Sequence, residues 1–315
     1  GTIAQGVQAK QVNSKGEVYE HIYGLTTSQR VYGTVRENQL GHGPCYLQTS
    51  GITSEQDQDL LKAYLNMAPS QTLKWIESGK MPGEQDVEIQ GTEPYIVGGH
   101  TASGFWVDTK RETTIHGLYA AGDVAGGCPQ KYVTGALAEG KIASLAIIEQ
   151  LKAASVEQTS TIEDQAQAVL NDYKKIRSTQ NGLFTIDDLE EAMQKVMDEY
   201  AGGIASNYQF NEKQLKLAEE KIARLSELAE QIGAEDMHEL LFAYELKERL
   251  LVCRVLIEHL KNRKETRWHS FNENLDHPET DEKFEKYVNS RMEDGKLHIL
   301  FRDLVKGDTY EHTNS

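Results

Sequence analysis

The chain has 315 residues, 38% of them hydrophobic, and a formal net charge of −16 at pH 7. That acidity speaks against a nucleic-acid footprint, which needs a basic stripe, and no apolar run approaches the roughly 20 residues that cross a bilayer. Gly1 to Gly6 carry no basic and apolar leader pattern, and Cys45, Cys128 and Cys253 are too far apart in sequence for a CxxC, zinc or iron–sulfur pattern, so the chain reads as cytoplasmic, with reduced thiols and no metal site.

In chain order, Val7 to Val12 and Val18 to Tyr23 alternate polar and apolar residues on either side of Asn13-Ser14-Lys15-Gly16, which predicts a β-hairpin. Arg30 to Leu40 reads as a short helix closed by Gly41-His42-Gly43, and Pro44 to Gln48 as a strand. Ser54 is read as the N-cap of a helix running to Met67, with Leu60, Leu61, Tyr64 and Leu65 at helical spacing. Ser70 to Gly79 adds another turn or two of helix with Leu73 and Ile76 facing inward, and Met81 to Thr92 is expected to be loop. Glu93 to Asp108 reads as two strands around a Gly-bounded loop that carries His100. Loops on rigid scaffolds are where reacting side chains tend to sit; a histidine bonded only to backbone is the other reading of a lone His there.

The stretch Gly117-Leu118-Tyr119-Ala120-Ala121-Gly122-Asp123-Val124-Ala125-Gly126-Gly127, with Lys131 to Ser144 after it, predicts a short buried strand (Leu118 to Ala121), a turn at Gly122, Gly126 and Gly127, and a helix from Val133 or Thr134. Glycines leading into a helix N-terminus bring several N–H groups and the positive end of the helix dipole to one place, which suits a polyanion or an electron-rich ring. A plain β-turn uses the same Gly and Asp. Past Ser144, helices are predicted at Ser160 to Arg177, Ile186 to Tyr200, Glu212 to Ile232 and Met237 to Arg263. Leu217, Lys221, Leu225 and Leu228, and Leu240, Leu241, Tyr244, Leu250, Leu251, Val255, Leu256 and Leu260, read as core seams of a helical bundle. Residues 266–315 lose periodicity except for a hairpin, Tyr287 to Arg291 with Lys296 to Arg302, turning at Glu293-Asp294-Gly295. A tail with exposed aromatics is expected to lie on its own bundle or on a partner subunit.

Several stretches resemble one family in matching order from about Gly41 onward: Gly43 to Thr49, Thr92 to Tyr95, the histidine loop ending Trp106-Val107, Gly117 to Tyr119 with Gly122-Asp123, Ala138 to Ile142, Arg263 to Arg267 and Phe284 to Arg291. They are similar to the flavoprotein subunit of the fumarate reductase and succinate dehydrogenase superfamily, and within it most like the α subunit of dissimilatory adenylylsulfate reductase. The resemblance implies an α+β fold: a partial α/β FAD-binding domain with capping-region strands, then a C-terminal α-helical bundle with an irregular tail. The divisions expected are 1–110 for the remainder of the capping region, 111–153 for the end of the FAD-binding domain, 154–265 for the bundle and 266–315 for the tail. It further implies FAD, held by Gly122, Asp123, Val133, Thr134 and Gly135, and places His100 beside the substrate. Arg30 would be a capping-region cation turned toward the site. Arg267 matches a family arginine, for which a structural ion pair is an equal account.

Two departures bear on the substrate. The fumarate and succinate enzymes have an arginine before the flavin-facing helix that forks a carboxylate; here Gly127-Cys128-Pro129-Gln130-Lys131 offers a lysine, the adenylylsulfate reductase pattern. The paired cysteines common after the active histidine in adenylylsulfate reductase are replaced by Ala102-Ser103-Gly104. The expected function is thus an FAD-dependent two-electron oxidoreductase subunit interconverting adenosine 5′-phosphosulfate with AMP and sulfite. His100 would supply a proton or hydrogen bond, Lys131 a point charge, and a separate ferredoxin-like iron–sulfur β subunit the electrons. A fumarate-reductase-like enzyme acting on an organic acid and a non-catalytic partner-docking fragment are the alternatives. No GxGxxG strand-turn-helix opens the chain. It is therefore expected to be the C-terminal portion of a longer flavoprotein, inactive and weak in FAD binding by itself.

Overall fold

Cys45-Tyr46-Leu47-Gln48 buries alternate residues, Cys45 and Leu47, and so becomes the central strand of a small sheet. The computed structural model describes residues 6–23, 27–91, 104–126, 133–153, 161–179, 184–267 and 272–304. They divide into two units, one built on residues 1–94 with 202–209 and 268–273, the other on 95–201, 210–267 and 274–315.

In the first unit, strand β1 (Lys10–Val12) pairs antiparallel with β2 (Cys45–Gln48), and β2 pairs antiparallel with β3 (Val87–Ile89). The hairpin expected between Val7 and Tyr23 does not form: Val12 meets Val18 through one isolated bridge, and Glu20–Tyr23 is a helical turn, α1. The reason is that Tyr19 and Glu20 are consecutive and both buried, which a strand's two-residue alternation forbids. Tyr19 shares a hydrogen bond with Thr34 Oγ1 (2.9 Å) on helix α2 (Thr27–Gln39), which begins earlier than the expected Arg30. Helix α3 (Ser54–Met67) is started by a capping box of Thr53 and Gln56, with Ser54 inside the helix. Helix α4 (Pro69–Ser78) ends on Gly79 in the left-handed region at φ 64°.

Trp75 and Tyr64 meet edge to face at 5.2 Å and, with Leu60, Leu47 and Val87, form this unit's core. Thr72 and Trp75 lie one turn apart on the buried face, so Leu73 and Ile76, one position on, point out and are 54% and 63% exposed, contrary to expectation. The expected loop after Met81 contains a short helical turn, Pro82–Glu84, and β3.

In the second unit, Phe105 to Gly126 folds into a ribbon of single-residue bridges: Phe105 with Ala125, Val107 with Thr113, Glu112 with Tyr119. The expected buried strand at Leu118 to Ala121 shrinks to this, with Leu118 48% exposed and Ala120 buried. Helices α5 (Val133–Ala153), α6 (Thr161–Ser178), α7 (Ile186–Tyr200), α8 (Glu212–Ala229) and α9 (Met237–Asn262) follow. Thr185 with Asp188, Asn211 and Asp236 cap the last three. Their seam is Leu189, Met193, Met197, Leu215, Ala218, Ile222, Leu225, Ala243, Leu246, Leu250 and Ile257. Of the expected seam, Leu225, Leu240 and Leu250 are buried in this cluster and Leu228, Leu256 and Leu260 pack against it, while alanines, which admit close helix approach, take positions that were not expected. Leu217, Leu241 and Leu251 are exposed, and so is Lys221.

The expected hairpin is present as β4 (Lys286–Glu293) and β5 (Lys296–Asp303). It packs on α9: His259 meets Ser290 Oγ at 2.9 Å, and Arg263 donates to the carbonyls of Phe284 and Lys286, both at 2.7 Å. The fully buried Glu265 carboxylate binds Arg263 (2.7 Å) and Arg267 (2.9 Å) and accepts from the Asp281 N–H. Arg267 is therefore held in a structural ion pair.

Candidate cofactor and substrate site

The Gly-Asp turn takes its shape from backbone constraints. Gly122 has φ +74°, and a Cβ on it would stand 3.2 Å from the Ala136 methyl in the first turn of α5. From the other side, Gly104 presses so close that a Cβ there would meet the Val124 carbonyl oxygen at 2.6 Å. The Phe105 N–H then donates to Val124 O (2.7 Å), and the Gly126 N–H to Phe105 O (2.8 Å). Three segments are thereby joined: the residues that leave the histidine loop, the Gly122–Gly126 turn and the N-terminal turn of α5.

Of the expected cofactor residues, Gly122 is buried against α5 and Asp123 is exposed beside it, while Val133 (75% exposed) and Thr134 open α5 and Gly135 is half-buried. The first N–H groups of a helix have no intrahelical partner, so they and the dipole favour an electron-rich ligand here. Arg30 lies in the first unit, on α2, with its Nε 3.9 Å from the Glu20 carboxylate. His100 and Lys131 lie outside the described residues.

Sequence reasoning missed the charged pair beneath the turn. Glu139, on α5 and 5% exposed, takes Arg111 Nη2 on Oε1 at 2.9 Å, and its buried Oε2 has no hydrogen-bond partner among the described residues. Arg111 has φ +71° and also donates to the carbonyls of Asp108 and Thr109. The Ala138-Glu139-Gly140 stretch was visible as a resemblance, but nothing in its spacing marks Glu139 as buried. In the first unit a second buried acid, besides Glu20, is Glu37, which takes hydrogen bonds from Asn13 (3.1 Å) and Tyr23 (2.9 Å) and pairs with His42 (2.9 Å). Burial alone would raise its carboxyl, but the bonds from Asn13, His42 and Tyr23 outweigh that and hold it below the ordinary range. Tyr23 is pushed up to about 12 by burial and by Glu37. Glu37 is a satisfied structural carboxylate.

Among the described residues, no cluster of three or more His, Cys, Asp or Glu is placed to hold a metal, and no helix is long and apolar enough to cross a membrane.

No family model matches the chain. The chain is 28% identical over 351 aligned residues to adenylylsulfate reductase subunit alpha of Megalodesulfovibrio gigas, covering 92% of this chain and 53% of that protein. It is 27% identical to an uncharacterized FAD-dependent oxidoreductase of Methanocaldococcus jannaschii, covering 82% of this chain and 44% of that protein. The chain thus spans about half the length of the curated relatives it matches. Among solved structures, adenylylsulfate reductase from Archaeoglobus fulgidus superposes with a TM-score of 0.79 at 26% identity, over 97% of this chain and 57% of that one. Quinol fumarate reductase of E. coli superposes at 0.77 with 20% identity, over 96% of this chain and 56% of that one, a likeness of fold. In sequence and in fold, then, the chain is similar to the adenylylsulfate reductase α subunit across about half of that subunit's length, in an architecture that fumarate reductase shares.

Proposed function

We propose that the chain forms the flavin- and substrate-facing part of an FAD-dependent oxidoreductase that interconverts adenosine 5′-phosphosulfate with AMP and sulfite. The observation that carries the reading is the three-way junction of Phe105, the Gly122–Gly126 turn and the start of α5, in a chain similar throughout to adenylylsulfate reductase. The residues fit the cofactor: Gly122 clears the approach, the first N–H groups of α5 suit an electron-rich ligand, Asp123 is an exposed carboxylate that can accept from hydroxyls, and Val133 offers an apolar surface to a ring. FAD, when bound, supplies the electron pair. His100 donates a proton or hydrogen bond to the departing oxygen, Lys131 balances oxyanion charge as a compact ammonium, and Arg30 adds a cation from the capping region.

The exposed apolar residues of α5 support the finer arrangement in which 111–153 closes an FAD-binding domain, with 1–110 as capping region, 154–265 as bundle and 266–315 as tail. In this reading the partner is an iron–sulfur β subunit and the setting the cytoplasm; the name of the relative, a subunit alpha, supports a further subunit as partner. Anaerobic turnover of the holoprotein with its partner tests the proposal. Sulfite-dependent electron transfer that requires AMP is expected, and succinate or fumarate turnover with none on sulfite would overturn it.

A further inference from the structure

The C-terminal hairpin reaches back to the junction just described through one side chain. The Arg302 guanidinium on β5 lies 3.7 Å from the centroid of the Trp106 ring and 5.2 Å from that of Tyr287, its register partner on β4. Its Nε donates to Asn289 Oδ1 at 2.7 Å, which fixes the plane of the guanidinium. Trp106 follows Phe105, whose N–H and carbonyl are both engaged by the Gly122–Gly126 turn, at Val124 O and Gly126 N. The ring is 41% exposed to solvent, and the guanidinium stacked on it is a contact able to fix its tilt.

We propose that Arg302 is a positioning residue for the cofactor-side turn: by clamping Trp106 it holds Phe105 in register with Val124 and Gly126. The inference rests on the functional reading above only for its effect on flavin. A flat, delocalised guanidinium stacks on indole and fixes its tilt, whereas a lysine ammonium in its place keeps the charge and loses the plane. The irregular tail thereby becomes part of the site's architecture.

Amide hydrogen exchange on this chain, with flavin dissociation from the holoprotein, tests it. In R302A and in R302K, exchange at Phe105 and Gly126 should quicken roughly twofold to fivefold, the scale of one cation–π contact at an exposed ring, while α8 and α9 amides stay unchanged. W106F, which keeps an aromatic face, should retain most of the protection that W106A loses. Flavin should leave the R302A holoprotein faster by a similar factor. Unchanged exchange at Phe105 and Gly126 in both Arg302 variants overturns the clamp, and quickened exchange with unchanged flavin dissociation overturns its role at the site. A wild-type holoprotein that binds no flavin refutes the functional reading instead, and quickened exchange in R302A would support the clamp even then.

Discussion

Helices α5 and α9 are close in length and opposite in construction. Helix α9 buries Leu240, Ala243, Leu246, Leu250 and Ile257 in the bundle seam. Helix α5 buries Glu139, Ala143 and Ala146 and leaves Val133, Leu137, Leu145 and Leu151 between 56% and 75% exposed. Helix α9 also shows Leu241, Leu251 and Val252 to solvent, yet it keeps a continuous apolar seam on its other side, whereas α5 hides a glutamate and two alanines and shows most of its large apolar residues, as a helix built to be covered does. The contrast separates a helix seated in its own bundle seam from one whose leucines are left outside any core.

The largest effect should come from the bundle seam. Leu246→Ala empties a fully buried site and should lower unfolding free energy by roughly 2–5 kcal/mol in chemical denaturation. A change well under that range would mean the seam is looser than its burial implies.

Next, Glu139→Ala removes the partner of Arg111 beneath the turn. Because Arg111 keeps 21% of its side chain exposed, the cost should be about 2 kcal/mol, below that of a wholly buried pair. Exchange of the Ala120 amide, which donates to Arg111 O, should rise with it. An unaltered Ala120 would show that the pair does not hold the ribbon.

Acidification should loosen the hairpin's attachment to α9. Burial alone would raise the Glu265 carboxyl, but Arg267, the Asp281 N–H and Arg263 hold it below the ordinary range. A lowered folded value stabilises above the unfolded pKa of about 4.3 and is lost as pH falls through the folded one. His259 is lowered by burial and then by Arg263, against a smaller opposing pull from Glu258, so its neutral form is favoured. Its contribution is whole above the unfolded value of about 6.5 and is lost as pH falls from there toward the folded value. Both signs agree, in different windows: the urea midpoint should fall between pH 7 and pH 5 through His259, a slope that His259→Gln should flatten, and fall further below about pH 4.3 through Glu265. A midpoint rising between pH 7 and pH 5 would contradict the His259 assignment, and one that rises below about pH 4.3 would contradict that of Glu265.

The smallest effect should be Leu137→Ser on α5, within about 0.5 kcal/mol for this chain, since 70% of the residue already faces solvent. A loss near that of Leu246→Ala would mean the face is covered already.

How far the sequence carried follows the same division. Helix α7 was legible at both ends because Thr185 and Asp188 write its start chemically and its apolar period is strong. Helix α9 was legible in extent, but its seam was misplaced onto Leu241 and Leu251, because hydrophobicity alone ranks leucine above the Ala243 that lets helices approach. Short strands were least legible: β1 finds its partner across the chain at β2, a pairing that local alternation cannot encode. The Gly-Asp turn could be read from its residue types, yet not its contact with Gly104 or the burial of Glu139, which arise only when distant backbone segments close. Arg302 lay in plain sight as a strand residue with nothing in its neighbourhood to point to Trp106.

The proposed flavin site has the Gly122–Gly126 turn and the first turn of α5 as one wall. Flavin occupancy of the holoprotein, read from absorbance at about 450 nm in the wild type and in Asp123→Ala, tests it most directly, since Asp123 is exposed and its loss leaves the seam intact. The expected result is a yellow wild type and a variant with clearly reduced occupancy at unchanged helical content. Equal occupancy and an unshifted spectrum in the two proteins would contradict the account.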